Sequence, residues 1–162
     1  MDFYKTIARG YDGLYAEEQR SKLAIIKGNL PIKNSDLLLD VGCGTGLSSD
    51  FSCRVIGLEP SFELLAQSKG KAKVMARAEN MPFRDGTFDK VISITSMHNF
   101  DDIIKGLEEI KRVGKNDFVF SVLKKSKNLG LIEKEIKANF IATKIIDGDK
   151  DWIFICGAKE LN

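Results

Sequence analysis

The chain is short of the residues that usually announce a metal or redox centre. Its 162 residues include one histidine, His98, and three cysteines, Cys43, Cys53 and Cys156, with no CxxC pair. That set does not make a zinc site, and no metal is expected. An odd cysteine count without framework spacing points to a reducing compartment, not a disulfide scaffold. No apolar run approaches the roughly 18 residues of a membrane helix, so no membrane association is expected. The start, Met1-Asp2-Phe3-Tyr4, has no basic region followed by an apolar stretch, and no signal peptide is read there. A cytoplasmic protein is the expectation. A large charge excess is also missing. The formal net charge of +2 and pI near 8.4 are too mild to argue for nucleic acid on their own.

What is present is ordinary for a folded domain: 43% hydrophobic and 30% charged residues. A chain of this length buries roughly two thirds of its unfolded surface and can support its own core. One domain spanning 1–162 is expected, with no repeat, low-complexity tract or linker. Strand and helix patterns alternate, which predicts an α/β fold with a mostly parallel sheet. Phe3 to Tyr15 reads as a short helix and a loop, broken by Gly10 and Gly13. Glu17 to Leu30 reads as a helix whose apolar side is Leu23, Ile25, Ile26 and Leu30. Leu37 to Val41, apolar but for Asp40, suits a strand buried on both faces. Further strands are expected at 54–58, 73–76, 88–95 and 117–123. Helices are expected at 62–69, capped by Ser61, from Asp101-Asp102 to Val113, and at 129–140. A terminal hairpin, 143–146 and 152–156, turns at Asp147-Gly148-Asp149. The chain therefore divides into an N-terminal helical segment over 1–30, a core of alternating strands and helices over 37–123, and a C-terminal helix and hairpin over 128–162. The last completes a seven-stranded sheet with helices on both faces.

The first strand runs straight into Gly42-Cys43-Gly44-Thr45-Gly46. Glycines at alternate positions permit a tight turn and let a ligand lie against the backbone. In open parallel sheets ligands bind beyond the carboxyl ends of the strands. Glu59, followed by Pro60 at the end of the second strand, can accept hydrogen bonds from both ribose hydroxyls of a nucleoside cofactor. A dinucleotide fingerprint needs G-x-G-x-x-G, and its third glycine position here is Leu47. Asp40, two residues before the loop, suits an ammonium group and is poor company for a pyrophosphate. S-adenosylmethionine carries that ammonium and no phosphate. A nicotinamide-dependent oxidoreductase is disfavoured by Leu47 and Asp40 together.

Leu37 to Gly46, LLLDVGCGTG, resembles the first motif of class I, Rossmann-like, S-adenosylmethionine-dependent methyltransferases. Ala78-Glu79-Asn80-Met81-Pro82-Phe83, followed by Gly86-Thr87-Phe88-Asp89, resembles the "AENLPF…FD" segment of the quinone-biosynthesis-type subgroup. Lys111 to Asn116 stands where that subgroup often has "RVLKPGG", and Tyr11-Asp12-Gly13-Leu14-Tyr15 is similar to its "YDxxY" lid. The resemblance runs through nearly the whole chain in order. It implies that Gly42, Cys43, Gly44 and Gly46 line the cofactor and that Asp40 acts near its amino group. It further implies that Glu59 and Pro60 meet the ribose, Ala78 and Glu79 the adenine, and Thr95 and Ser96 the methionine portion. Tyr11 would close over the sulfonium. Arg77 stands where the subgroup often has an aspartate, which leaves the adenine amino group to Glu79 or a backbone carbonyl. Leu47 to Cys53 leaves room for only a turn or two of helix.

The implied product is S-adenosylhomocysteine. A small-molecule acceptor is favoured by the subgroup, and no cap covers the acceptor pocket. His98, after the fourth strand, is a candidate base for an oxygen or nitrogen acceptor. Lys111, Arg112, Lys115, Lys124, Lys125 and Lys127 form a basic stretch that can meet RNA phosphates. RNA or protein therefore stands as an alternative acceptor. No Asn/Asp-Pro-Pro-Tyr motif follows the fourth strand, which argues against adenine N6 or glutamine amide methylation. The remaining alternative is a cofactor-binding subunit active only with a partner protein, its core leaving an edge strand or apolar patch to be covered. A monomer or small homo-oligomer is expected.

Overall fold

The structure, a computed structural model, describes residues 3–46 and 50–160, with side chains from Ala16 onward. Its centre is one seven-stranded sheet. The strands are β1 (Leu37–Val41), β2 (Arg54–Leu58), β3 (Ala72–Val74), β4 (Phe88–Ile94), β5 (Gly114–Leu123), β6 (Phe140–Gly148) and β7 (Asp151–Ala158). Their spatial order is β3-β2-β1-β4-β5-β7-β6. The first five are mutually parallel, and β7 enters antiparallel between β5 and β6. The order reverses between β1 and β4. That switch point is where ligands bind in open α/β sheets.

Side chains alternate across the central strands. Leu39, Val41, Val91, Phe118, Phe120 and Phe154 enter one core. There they meet helices α3 (Ile103–Val113) and α4 (Leu129–Asn139) through Leu107, Ile110, Ile132 and Ile136. Leu38, Ile92, Val119 and Ile153 point the other way and pack on Leu23 and Ile26 of helix α1 (Phe3–Asn29) and on Leu30 just after it. Helices thus cover both faces, as expected.

Several elements depart from the sequence expectation: the helix expected over 62–69 ends at Ala66, β5 begins at Gly114 and not at 117, and three further differences are larger. The N-terminal segment is one continuous 27-residue helix, not a short helix, a loop and a second helix. Gly10 and Gly13 each weaken a helix by about 1 kcal/mol but permit its geometry, and no proline interrupts 3–29. The expected helical turns between Leu47 and Cys53 fall partly on residues 47–49, outside the described residues, and 50–53 form no helix. The terminal hairpin is longer than its apolar runs suggested, because β6 and β7 pair along nearly their whole length. Its turn places Asp149 at φ 69, with its N–H donated to Asp147 Oδ1 at 3.0 Å. Helix α2 (Phe62–Ala66) starts at the Ser61 cap, whose hydroxyl accepts from Leu64 N–H.

Candidate active site

The glycine loop leaves β1 in a conformation that side chains resist. Gly42, Gly44 and Gly46 have φ of 76, 54 and 81°. A Cβ on Gly42 would lie 2.5 Å from both Cβ and Oγ of Ser96, and one on Gly46 would lie 2.7 Å from Ser68 Oγ. The loop is pinned to the end of β2, since Gly42 and Cys43 both donate N–H to Leu58 O, at 2.8 and 3.1 Å.

Glu59 belongs to this same turn. It is buried, and its two carboxylate oxygens accept from Gly44 N–H at 3.1 Å and Ser61 N–H at 3.0 Å. Burial pushes its pKa above the ordinary glutamate value, against those two hydrogen bonds. A carboxylate has about four lone-pair sites, so two are engaged by these bonds. Asp40 lies buried on β1 just before the loop. Cys43 is buried with its Sγ 3.8 Å from Gly44 O. Burial, reinforced by Asp40 and Glu59, drives its thiol far above the usual cysteine range, so it is no nucleophile.

Beyond the loop lies a cavity of about 290 Å³ at the carboxyl edge of β1 and β2. Gly42, Pro60, Ala78 and Glu79 line it, which brings together four of the predicted residues. Sequence reasoning missed its far wall, Asn99, Phe100 and Asp101. That wall follows β4 through a 3-10 turn at Met97–Asn99. Arg77 also lines the cavity, ion-paired with Asp101 and 3.8 Å from Glu79. Glu79 Oε1 also accepts the N–H of Asp102 at 3.1 Å. The cavity suits the nucleoside part of a cofactor, being at the small end of ligand pockets.

The residues after β4 divide their work. Ser96 faces the loop and donates its hydroxyl to Val41 O at 2.9 Å. Thr95, expected beside the methionine portion, turns its hydroxyl to Lys22, Ser121 and Asp151. His98 is half-buried, and burial holds its pKa below the ordinary histidine value, opposed by Asp151. The side chain of Tyr11 lies outside those described; its backbone sits in α1.

The basic stretch does not form one patch. Lys111, Arg112 and Lys115 sit at one end of ten-residue β5 and Lys124, Lys125 and Lys127 at the other, roughly 33 Å apart. Arg112 is spent on Glu109, Asp85 and the carbonyls of Met81 and Phe83. Lys115 pairs with Asp89 and Lys124 with Asp147. Contiguity in sequence hid this separation. Among the described residues no helix is long and apolar enough to cross a membrane.

A parallel sheet whose first strand ends in this glycine loop is a Rossmann-like nucleoside-cofactor fold. Residues 39–122 match the family model described as methyltransferase domain, and the chain belongs to that family. Its cofactor is S-adenosylmethionine. The chain is 32% identical, over 92% of its length, to an uncharacterised protein of Methanocaldococcus jannaschii. It is 35% identical to demethylmenaquinone methyltransferase of Thermobifida fusca over 51% of the chain. It is also 35% identical to a tRNA (carboxymethyluridine(34)-5-O)-methyltransferase of Arabidopsis thaliana over 58%. The chain spans 66%, 40% and 24% of those relatives' lengths. A solved complex of the Haloferax volcanii Trm112 methyltransferase activator and a methyltransferase contains a chain of the same fold. Its TM-score is 0.82 at 15% identity, over 99% of both chains.

Proposed function

We propose that this protein transfers a methyl group from S-adenosylmethionine to a small-molecule acceptor. The single observation that carries the cofactor half is the cavity at the switch point, lined by Gly42, Pro60, Ala78 and Glu79, with Glu59 buried behind the positive-φ loop. These groups fit the cofactor: a glycine cradle without side chains and a carboxylate beside the ribose position. In this reading the backbone of Gly42, Cys43, Gly44 and Gly46 holds the cofactor's amino-acid portion together with Asp40 and Ser96, while Thr95, its hydroxyl turned to Lys22, Ser121 and Asp151, does not touch it. Glu59 and Pro60 hold the ribose, and Ala78 and Glu79 flank the adenine. When bound, the cofactor supplies an activated methyl group on sulfur.

Tyr11, on α1, covers the reacting end in this proposal. His98 is held neutral at pH 7 by burial and takes a proton from an oxygen or nitrogen acceptor. Much of the catalysis is alignment of acceptor and methyl. The quinone-type segment 78–83 and the match to a demethylmenaquinone methyltransferase support a small acceptor. The dispersal of the basic stretch to two ends of β5 weighs against RNA, although the tRNA-methyltransferase relative keeps it as the rival. The test is thermal unfolding with S-adenosylhomocysteine at about 100 times its Kd, where linkage predicts about 2.7 kcal/mol of stabilisation. No shift with that ligand, alongside a shift with a dinucleotide, sinks the reading.

A second reading adds a protein partner. Among the described residues Phe62 and Met75 are the most exposed large apolar side chains, at 65% and 59%. They follow the paired outer strands β2 and β3, whose ends are joined by Glu59 N–H to Val74 O. Such residues beside a three-residue edge strand suit a covering chain. The activator bound by the fold neighbour supports looking for one of that kind. Mixing with Haloferax Trm112 and measuring mass in solution tests it: a 1:1 complex lost in Phe62→Ser/Met75→Ser supports it, and a single unchanged species opposes it.

A further inference from the structure

Three polar side chains far apart in sequence meet under the carboxyl edge of β4. Lys22 of α1 and Asp151 of β7 form an ion pair, Nζ to Oδ1 2.9 Å, with side chains 4% and 0% exposed. The hydroxyl of Thr95 lies between them. It accepts from Lys22 Nζ at 2.8 Å and donates to Asp151 Oδ2 at 2.9 Å. Ser121 of β5 completes the set, accepting Thr95 N–H at 2.9 Å, with the two hydroxyls 3.0 Å apart. Three elements, α1, β5 and β7, thus converge on one threonine at the end of β4.

Two features of this cluster are expensive if stability were its only use. A buried ion pair repays its desolvation poorly, and an apolar pair of similar volume is often at least as stable. Thr95 also has φ 51, a left-handed conformation that is an outlier for a β-branched residue. The reward is the path of the chain. The left-handed residue turns β4 so that Ser96 seats against Gly42 and bonds Val41 O. The wall Asn99 to Asp101 then closes the cavity opposite Pro60 and Ala78.

We propose that Lys22, Thr95 and Asp151 are positioning residues that set the cavity wall 96–101 and fasten α1 to the same edge. The affinity half of this inference rests on the cofactor reading above; the structural half does not.

The test compares Thr95→Val, which keeps shape and branching but loses the hydroxyl, with Thr95→Ser, which keeps the hydroxyl. Amide hydrogen exchange is measured without cofactor, and S-adenosylhomocysteine titration follows. Thr95→Val is expected to exchange at 96–100 at least tenfold faster than wild type, with β1 and β5 unchanged, and to raise the Kd at least tenfold. Thr95→Ser is expected to stay within threefold of wild type in both. Where Thr95→Val does not fold, Lys22→Met carries the same expectation from α1. Wild-type exchange at 96–100 in Thr95→Val or Lys22→Met overturns the inference. So does Thr95→Ser exchanging as fast as Thr95→Val. A wild type that binds no S-adenosylhomocysteine removes the cofactor reading, while the exchange result still decides the positioning role.

Discussion

Replacing Gly42 by alanine probes the cradle at its tightest point. The new Cβ would lie 2.5 Å from both Cβ and Oγ of Ser96, far inside an ordinary carbon contact. The φ of 76° adds left-handed strain of about 1–2 kcal/mol for an L-residue. Relieving the overlap resembles overpacking a core, about 1–3 kcal/mol. Gly42→Ala should therefore lose about 2–5 kcal/mol. Ser96→Gly removes both clashing atoms and leaves only its Cα, at 3.9 Å. Alone it loses the bond to Val41 O, about 1 kcal/mol, and gains glycine's backbone freedom, about 0.5–1 kcal/mol. In the double variant the overlap is gone, so the two costs should sum to at least 1 kcal/mol more than the double variant shows. Urea unfolding of the four proteins at 25 °C measures this. Costs that add within about 0.5 kcal/mol would mean that Ser96 does not press on the loop, and the reasoning fails.

Glu59→Ala should weaken S-adenosylhomocysteine binding by about 1–3 kcal/mol, the scale for a charged hydrogen-bond partner; an unchanged Kd removes Glu59 from the site. Gly57→Ala places a Cβ 2.7 Å from Cys43 Sγ and should destabilise, with Cys43→Ala restoring part of the loss in thermal unfolding. Cys43, Cys53 and Cys156 are buried, and burial holds Cys156 near 12, so a maleimide should label none of them until the chain unfolds; mass spectrometry checks this. His98 has a folded-state pKa below its unfolded value. Its share of stability is present above about pH 6.5 and lost as pH falls through the folded value, so His98→Asn should flatten the loss between pH 7.5 and 5 in urea titrations.

The central strands and the glycine loop were legible because local chemistry dictates them. Leu37 to Leu39 put apolar side chains on both faces, and glycine is the residue that most readily takes the positive φ angles that follow. Glu59 was legible by its place at a strand end, though its bonds to the loop were not. The cavity's far wall was missed because Asn99 and Asp101 enter it only through the turn that Thr95 imposes. Lys22 carried no signal at all, since a helical lysine usually faces solvent, and its burial depends on Asp151 from the far end of the chain. The basic stretch misled for the opposite reason: neighbours in sequence were parted by a strand.

Calorimetric titration of the purified chain with S-adenosylhomocysteine tests the central claim most directly. Micromolar binding at one site per chain, lost in Gly44→Arg and absent for NAD, is the predicted result. Tight dinucleotide binding, or S-adenosylhomocysteine affinity untouched by Gly44→Arg, would contradict it.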